Sequence, residues 1–340
     1  MKRNINDRYI EKLQCYSCVN VGEEIVFPTL LNQVTTMSFV DGHIKRVVHS
    51  NIDNKKSIYS IFYINEAFYF LENDRNIIVD DANTCCVKFK ENTNNVSYLF
   101  FAKQYGQLLY VLYGDGNLFT DINASDGTYV FVHISGIDIF VSVCEEGFAY
   151  YDKHKILRFF SFKTLDSEML TANNIDLTNV SGFLKKNDNS YYLMNDRLVI
   201  SSDKEIVKQI EIDNLEEYKH IHLINDKLYL IPNDVRNEVI IISKEKKEYR
   251  ITNCPYPNDL MEYKSENYQF IRSMETEKCI LYPMRGINYF LAIIEGENTV
   301  RWIKPIIDKQ KIAMMRKGWG EKFKEGIIGL DDFLEVVINE

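Results

Sequence analysis

Glycine and proline are scarce in this chain, 15 and 6 among 340 residues, which argues against low-complexity linkers. Tryptophan occurs only twice. Basic residues are outnumbered, 40 Lys and Arg against 49 Asp and Glu, giving a formal charge of -9. That balance argues against general nucleic-acid binding, which needs a basic surface to neutralise phosphates. No apolar run approaches the roughly 20 residues of a membrane-spanning helix. No apolar stretch follows the opening Met1-Lys2-Arg3-Asn4-Ile5-Asn6-Asp7-Arg8, so no secretory signal is expected. The seven cysteines are odd in number and scattered, which fits a reducing, cytoplasmic location. P-loop, dinucleotide-fingerprint, nucleophile-elbow and zincin motifs are all missing, so no reaction is named by a motif.

What is present is apolar and aromatic, with 22 Tyr and 20 Phe in a chain that is 46% hydrophobic. These residues suit pleated, half-buried surfaces. A hairpin recurs about seven times, most clearly as Lys227-Leu228-Tyr229-Leu230-Ile231-Pro232, a polar turn, then Glu238-Val239-Ile240-Ile241-Ile242. Its strand-to-turn junctions fall near Pro28, Leu71, Tyr113, Tyr151, Met194, Pro232 and Pro283, spaced 43, 42, 38, 43, 38 and 51 residues apart. A period near 40 built only of strands is the signature of a propeller blade. The expected fold is an all-β propeller over residues 1–305, with seven four-stranded blades, six or eight remaining open. In the sixth unit the strands are expected at 218–224, 227–231, 238–243 and 247–252, and in the seventh at 268–273, 279–282, 288–294 and 299–304. The fourth unit has a poorly defined end and the first is ragged before residue 24. Ring closure commonly uses a strand from one terminus to complete a blade begun by the other, and residues 16–21 are the candidate.

The tail, 306–340, is patterned differently. Leu330, Phe333, Leu334, Val337 and Ile338 recur at helical spacing and make one apolar stripe. The stripe is expected either to pack on the propeller or to dock a partner protein.

The motif Leu-Tyr-Leu-Ile-Pro followed by Asn-x-Val, with Ile25-Val26-Phe27-Pro28 and Ile280-Leu281-Tyr282-Pro283 as further copies, resembles Kelch-like and WD40-like bacterial propeller repeats of the uncharacterised Firmicutes type. The resemblance covers about residues 20–305. The Gly-Gly doublet of a Kelch repeat and the regular Trp-Asp of a WD40 repeat are both missing. The resemblance implies an architecture, a binding or scaffolding role and an association with surface-glycan biosynthesis, and no catalytic residue.

Four units place arginine in the turn between second and third strands: Arg75, Arg197, Arg236 and Arg285. Arginine's rigid donor fork suits carboxylate or phosphate. Shared turns predict an anion-binding face for an acidic glycan, a phosphorylated metabolite or an acidic protein segment. The plainer reading is a set of solvated arginines, or arginines paired with the neighbouring Asp. His220 and His222 share one face of a strand and could line the channel. Zinc needs three or four ligands and no completing set is evident, so neither metal nor cofactor is expected. Cys15-x-x-Cys18 is half of a zinc knuckle or a redox pair, but the other half of a knuckle and the βαβ setting of a thioredoxin-type motif are both missing, so buried cysteines acting as small apolar residues are the plainer reading. Asp80-Asp81 and Glu145-Glu146 alternate across a strand and make no facing acid–base pair.

These features favour a non-enzymatic cytoplasmic binding or scaffold module for a protein or an anionic ligand. The alternative is a carbohydrate-active lyase or hydrolase working at the channel mouth. Oligomeric state and ligand identity are not encoded in any pattern found.

Overall fold

The computed structural model describes residues 17–28, 33–49, 58–64, 67–72, 76–80, 85–88, 99–105, 108–122, 128–233, 237–245, 248–258, 274–276, 279–283, 289–297 and 299–306. The described residues form seven four-stranded sheets, each an antiparallel meander of four consecutive strands. Blade 1 holds Val19–Val21, Glu24–Pro28, Gln33–Ser38 and Ile44–His49; blade 2 holds Ile58–Ile64, Ala67–Glu72, Asn76–Asp80 and Cys85–Lys88. Blade 3 holds Leu99–Tyr105, Leu108–Tyr113, Asn117–Thr120 and Val130–His133; blade 4 holds Ile137–Val143, Gly147–Asp152, Leu157–Ser161 and Asp166–Met169. Blade 5 holds Gly182–Lys186, Asn189–Leu193, Arg197–Ser202 and Glu205–Glu211; blade 6 holds Tyr218–Ile224, Lys227–Pro232, Val239–Glu245 and Glu248–Cys254. Blade 7 holds Met274–Thr276, Cys279–Pro283, Phe290–Ile294 and Arg301–Ile303. The expected first strand of blade 7 at 268–273 lies outside the described residues, as does the tail beyond 306 with its apolar stripe.

The expectation that residues 16–21 complete a blade begun at the other terminus is corrected. Val19–Val21 pairs with Glu24, Ile25 and Val26 of its own blade, and blade 7 supplies four strands of its own. A two-residue Gly22-containing turn, with φ +61 at the glycine, is enough to fold the short first strand back locally.

The blades fall into two compact units, blades 1, 2 and 7 in one and blades 3 to 6 in the other. In the four-blade unit the first strands of blades 4, 5 and 6 approach one another, so the first strand is innermost. One core cluster joins blades 3 and 4 through Phe101, Tyr110, Leu112, Phe148, Tyr150, Phe160 and Phe162. A second joins blades 4, 5 and 6, with Leu157, Phe159, Phe183, Leu193, Leu198, Leu228 and Leu230 among its members. Hydroxyls tie inner strands together: Ser142 Oγ donates to Phe183 O at 2.8 Å and accepts from Phe183 N at 2.9 Å. Buried backbone groups at these junctions are thereby satisfied, which apolar packing alone would not do.

In the three-blade unit, Val19, Val26, Ile61 and Phe70 form the contact of blades 1 and 2, and Phe27 and Phe290 meet at 5.1 Å between blades 1 and 7. The chain leaving blade 7 is stitched to blade 1 beside its fourth strand. Ile44 N donates to Ile306 O at 2.9 Å and Ile306 N donates to Gly42 O at 2.8 Å, forming a parallel bridge between His43 and Ile306.

Candidate functional site

Turns between second and third strands share one end of a blade with the crossovers to the next blade. In blade 5, Ile212 N donates to Asp196 O at 3.1 Å, joining the outgoing crossover to that turn. In blade 3, Ile134 N donates to Gly116 O at 2.8 Å in the same way. Here Gly116 has φ +83, and a Cβ on it would sit 2.2 Å from Ile134 O. The crossover therefore runs against bare backbone.

Arg197 stands at this end, but its fork is occupied. Nε is 2.8 Å from Asp196 Oδ1, Nη2 donates to Asp196 Oδ2 at 3.0 Å, and Nη1 reaches Gln209 Oε1 at 3.3 Å. The hydrogen bond from Arg197 holds the Asp196 carboxyl below its usual range. In blade 4, Arg158 Nε donates to Asp152 Oδ2 at 2.6 Å, and Asp152 Oδ1 accepts from the amides of His154 at 2.8 Å and Ile156 at 3.1 Å. Burial alone would raise the Asp152 pKa, but Arg158 and the two amides outweigh it and lower the carboxyl below its usual range. Lys155 Nζ lies 2.5 Å from Asp138 Oδ2. Each of these three cations thus closes on a carboxylate of its own blade. Arg75, Arg236 and Arg285 lie outside the described residues.

At the opposite end, Glu145 and Glu146 form the first turn of blade 4 and clasp the first turn of blade 5. Lys186 Nζ is 3.7 Å from Glu145 Oε2, and Asn187 N donates to Glu146 Oε1 at 2.9 Å. The carboxylates bridge blades here and do not face each other as an acid–base couple. Asp80 ends the third strand of blade 2, and Asp81 lies outside the described residues.

His220 and His222 sit on the inner strand of blade 6, opposite Ile231 and Tyr229. Ile221, between them, belongs to the core shared with blade 5, so the imidazoles project from the other face. Burial, aided by the charges of His222 and Lys219, pushes the His220 pKa down to about 3. His220 is therefore neutral in the folded state around neutral pH. Its pKa in the unfolded chain is near 6.5, so between about 6.5 and 3 the unfolded chain binds more protons. Stability is expected to fall as pH drops through that window, by on the order of a few kcal/mol from this residue. Urea denaturation of wild type and His220→Gln at pH 7 and pH 4.5 checks it: the variant should lose clearly less stability on acidification. Equal losses would remove His220 as the cause.

Among the described residues no group of three or more His, Cys, Asp or Glu side chains converges as a metal site. Cys18, Cys144 and Cys254 are buried and in no disulfide, and Cys15 lies outside the described residues. A polar chain that sequence reading missed runs along blade 3. Asp115 Oδ2 accepts from Asn117 Nδ2 at 3.0 Å, and Asn117 Oδ1 meets His133 Nδ1 at 2.9 Å. Because the Asp115 carboxylate only accepts, it sets the Asn117 amide orientation, and the His133 Nδ1 must donate. His133 Nε2 then carries the lone pair when the ring is neutral. Only the Asp-x-Asn turn was a sequence signal for it; His133 is 16 positions from Asn117 and is brought in by strand register.

Seven consecutive four-stranded meanders define the chain as a β-propeller. No protein-family model and no curated protein matches it. Among solved structures it is similar to PorZ, described as an essential bacterial surface component of the type-IX secretion system of Porphyromonas gingivalis, with TM-score 0.56 and 11% identity. The similarity covers 87% of this chain but only 38% of PorZ, and at that identity it speaks for the fold alone. Among the described residues no helix is long and apolar enough to cross a membrane.

Proposed function

We propose that this propeller is a non-catalytic binding or scaffold module whose partner is a protein. The observation that carries the reading is the closure of Arg158, Lys155 and Arg197 onto carboxylates of their own blades. An anionic glycan or phosphorylated metabolite would have to displace Asp196 before using Arg197, and a bidentate pair competes well with a weak anion. A protein surface can instead meet the paired groups as they stand, with charges at the rim of a contact. The role of PorZ as a surface component is compatible with such a module. The Kelch-like character of the repeat and the link to surface glycans rest on motif resemblance, and a cytoplasmic location on cysteine usage.

The recurrence of arginine at one turn position keeps an anion-binding face as the second reading. Native co-purification from the source organism with chemical cross-linking tests the two together. The full chain is compared with one ending at residue 306, because a chain cut at 304 would also lose the Ile306 bridge to blade 1. A protein partner cross-linked reproducibly to the full chain supports the module reading, and its loss on truncation assigns docking to the tail. Retention of an acidic small molecule that Arg197→Ala releases, with no protein partner, would replace it with the anion reading. Turnover of an acidic oligosaccharide by the purified chain would replace both with the enzyme alternative.

A further inference from the structure

Among the described residues the fourth strand is the outer edge of each sheet, bridged by Ile306 at its start in blade 1. Such edges are usually guarded by charged side chains against pairing with another chain. Six of the seven fourth strands contain at least one Lys, Arg, Asp or Glu, from Lys45 and Arg46 in blade 1 to Arg301 in blade 7. Blade 3 is the exception among the described strands: Val130-Phe131-Val132-His133 has none. Val130 and Phe131 are 39% and 38% exposed.

The ladder fixes which backbone groups of this strand face outward. Ile134 N donates inward to Gly116 O at 2.8 Å. In an antiparallel ladder, alternate residues point their N–H and C=O the same way. Val130 and Val132 therefore face the third strand, and the amides and carbonyls of Phe131 and His133 point away from it. The spacing of those groups matches an extended backbone.

Charge gives the second argument. Positions 104–152, which include the outer three strands of blade 3, contain no Lys or Arg, but hold Asp115, Asp121, Asp126, Asp138, Glu145, Glu146 and Asp152. Asp115 and Asp121 flank the third strand, beside the open edge. Size gives the third. A four-residue edge is too small to hold two copies together by itself, because a stable interface buries roughly 1,200–2,000 Å².

We infer that the outer strand of blade 3, Val130–His133, is a β-augmentation site. It takes an extended, alternately apolar segment of a protein partner with Lys or Arg at its flanks. The inference rests on the protein-binding reading, but uses a different surface from the turn-bearing end.

The probe is a fluorescein-labelled peptide, Lys-Val-Thr-Val-Thr-Val-Lys with blocked ends, titrated with the full chain at low salt by fluorescence anisotropy. Binding is expected, and a Glu-flanked peptide should bind at least about tenfold more weakly. A copy N-methylated at alternate residues, unable to pair along one edge, should also lose at least about tenfold. Phe131→Lys and Val130→Lys each place a guarding charge on the strand and should weaken binding by about tenfold or more. Val130→Lys serves if loss of the 5.4 Å contact of Phe131 with Phe119 disturbs the fold, which a melting curve reports. No binding of the Lys-flanked peptide, or equal binding of its N-methylated copy, overturns the inference. So does self-association of the chain that Val130→Lys abolishes, since a second copy would then be the occupant. Any of these failures leaves a protein partner at the turn-bearing end or the tail untouched, and the co-purification experiment decides that separately.

Discussion

Phe148→Ala is expected to cost about 3–5 kcal/mol, the range for truncating a fully buried aromatic. Phe148 is 0% exposed and lies where blades 3 and 4 meet. Its ring centroid is 5.3 Å from Phe101, 5.2 Å from Phe160, 5.8 Å from Tyr150, and 6.2 Å from both Phe140 and Phe162. Aromatic pairs at such distances add about 0.5–1.5 kcal/mol each beyond area burial, so one truncation removes several at once. The neighbours are themselves rings held by strands and cannot collapse into the void without moving backbone. Urea denaturation followed by near-ultraviolet and far-ultraviolet circular dichroism gives the loss, with Ile139→Ala, 48% exposed, as the control expected to stay within about 0.5 kcal/mol. A Phe148→Ala loss below about 1 kcal/mol would mean the blade 3–blade 4 contact is not the packed cluster described.

That cluster also shows what could be read from the chain. Phe148-Ala149-Tyr150-Tyr151 and Phe159-Phe160 declare strands by composition, while their pairing is a matter of register that no single segment states. Blade 6 was the most legible unit because local chemistry and apolar pattern agree. Its Asn225-Asp226 turn adopts φ 49 and 60, as a tight primed hairpin turn requires, and both residue types tolerate it. The fourth strand of blade 4 was illegible for the opposite reason. Asp166-Ser167-Glu168-Met169 has no apolar alternation, and it is a strand because it pairs with Arg158–Ser161.

The candidate site divides in the same way. The Asp196–Arg197 pair was readable because the partners are adjacent, and the phase of His220 and His222 because strands alternate. The uncharged outer strand and the cation-free stretch around it were visible in the sequence, but became meaningful only once the strand was seen to be an edge. The ion pair of Lys155 with Asp138 spans 17 positions and two strands, beyond any local pattern.

Closure of the chain was the largest misreading, and the feature that replaces the expected shared blade makes a sharp prediction. Gly42 has φ +75, and a Cβ on it would lie 2.0 Å from Lys304 O. Both facts follow from the segment after blade 7 lying directly on the turn before Ile44. An alanine at this position meets two separate penalties. The left-handed backbone costs about 1–2 kcal/mol for any residue with a Cβ. The clash with a backbone carbonyl adds about 1–3 kcal/mol, because the oxygen cannot rotate away as a side chain would. In the full chain Gly42→Ala is thus expected to lose about 2–5 kcal/mol in total. The two terms separate in a chain ending at residue 303, where the carbonyl of Lys304 and the Ile306 bridge are gone. There the substitution should cost only the backbone term, about 1–2 kcal/mol. A chain ending at 306, which keeps the bridge, should respond like the full chain, so the tail beyond it is controlled for. The double-mutant cycle between Gly42→Ala and removal of 304–306 then reports the coupling directly. Coupling near zero would mean that the Lys304 carbonyl does not crowd Gly42, while the contribution of the bridge itself is read by comparing Gly42 chains ending at 306 and at 303. Coupling of more than about 1 kcal/mol would establish that the segment after blade 7 lies against Gly42 in solution as closely as the structure places it.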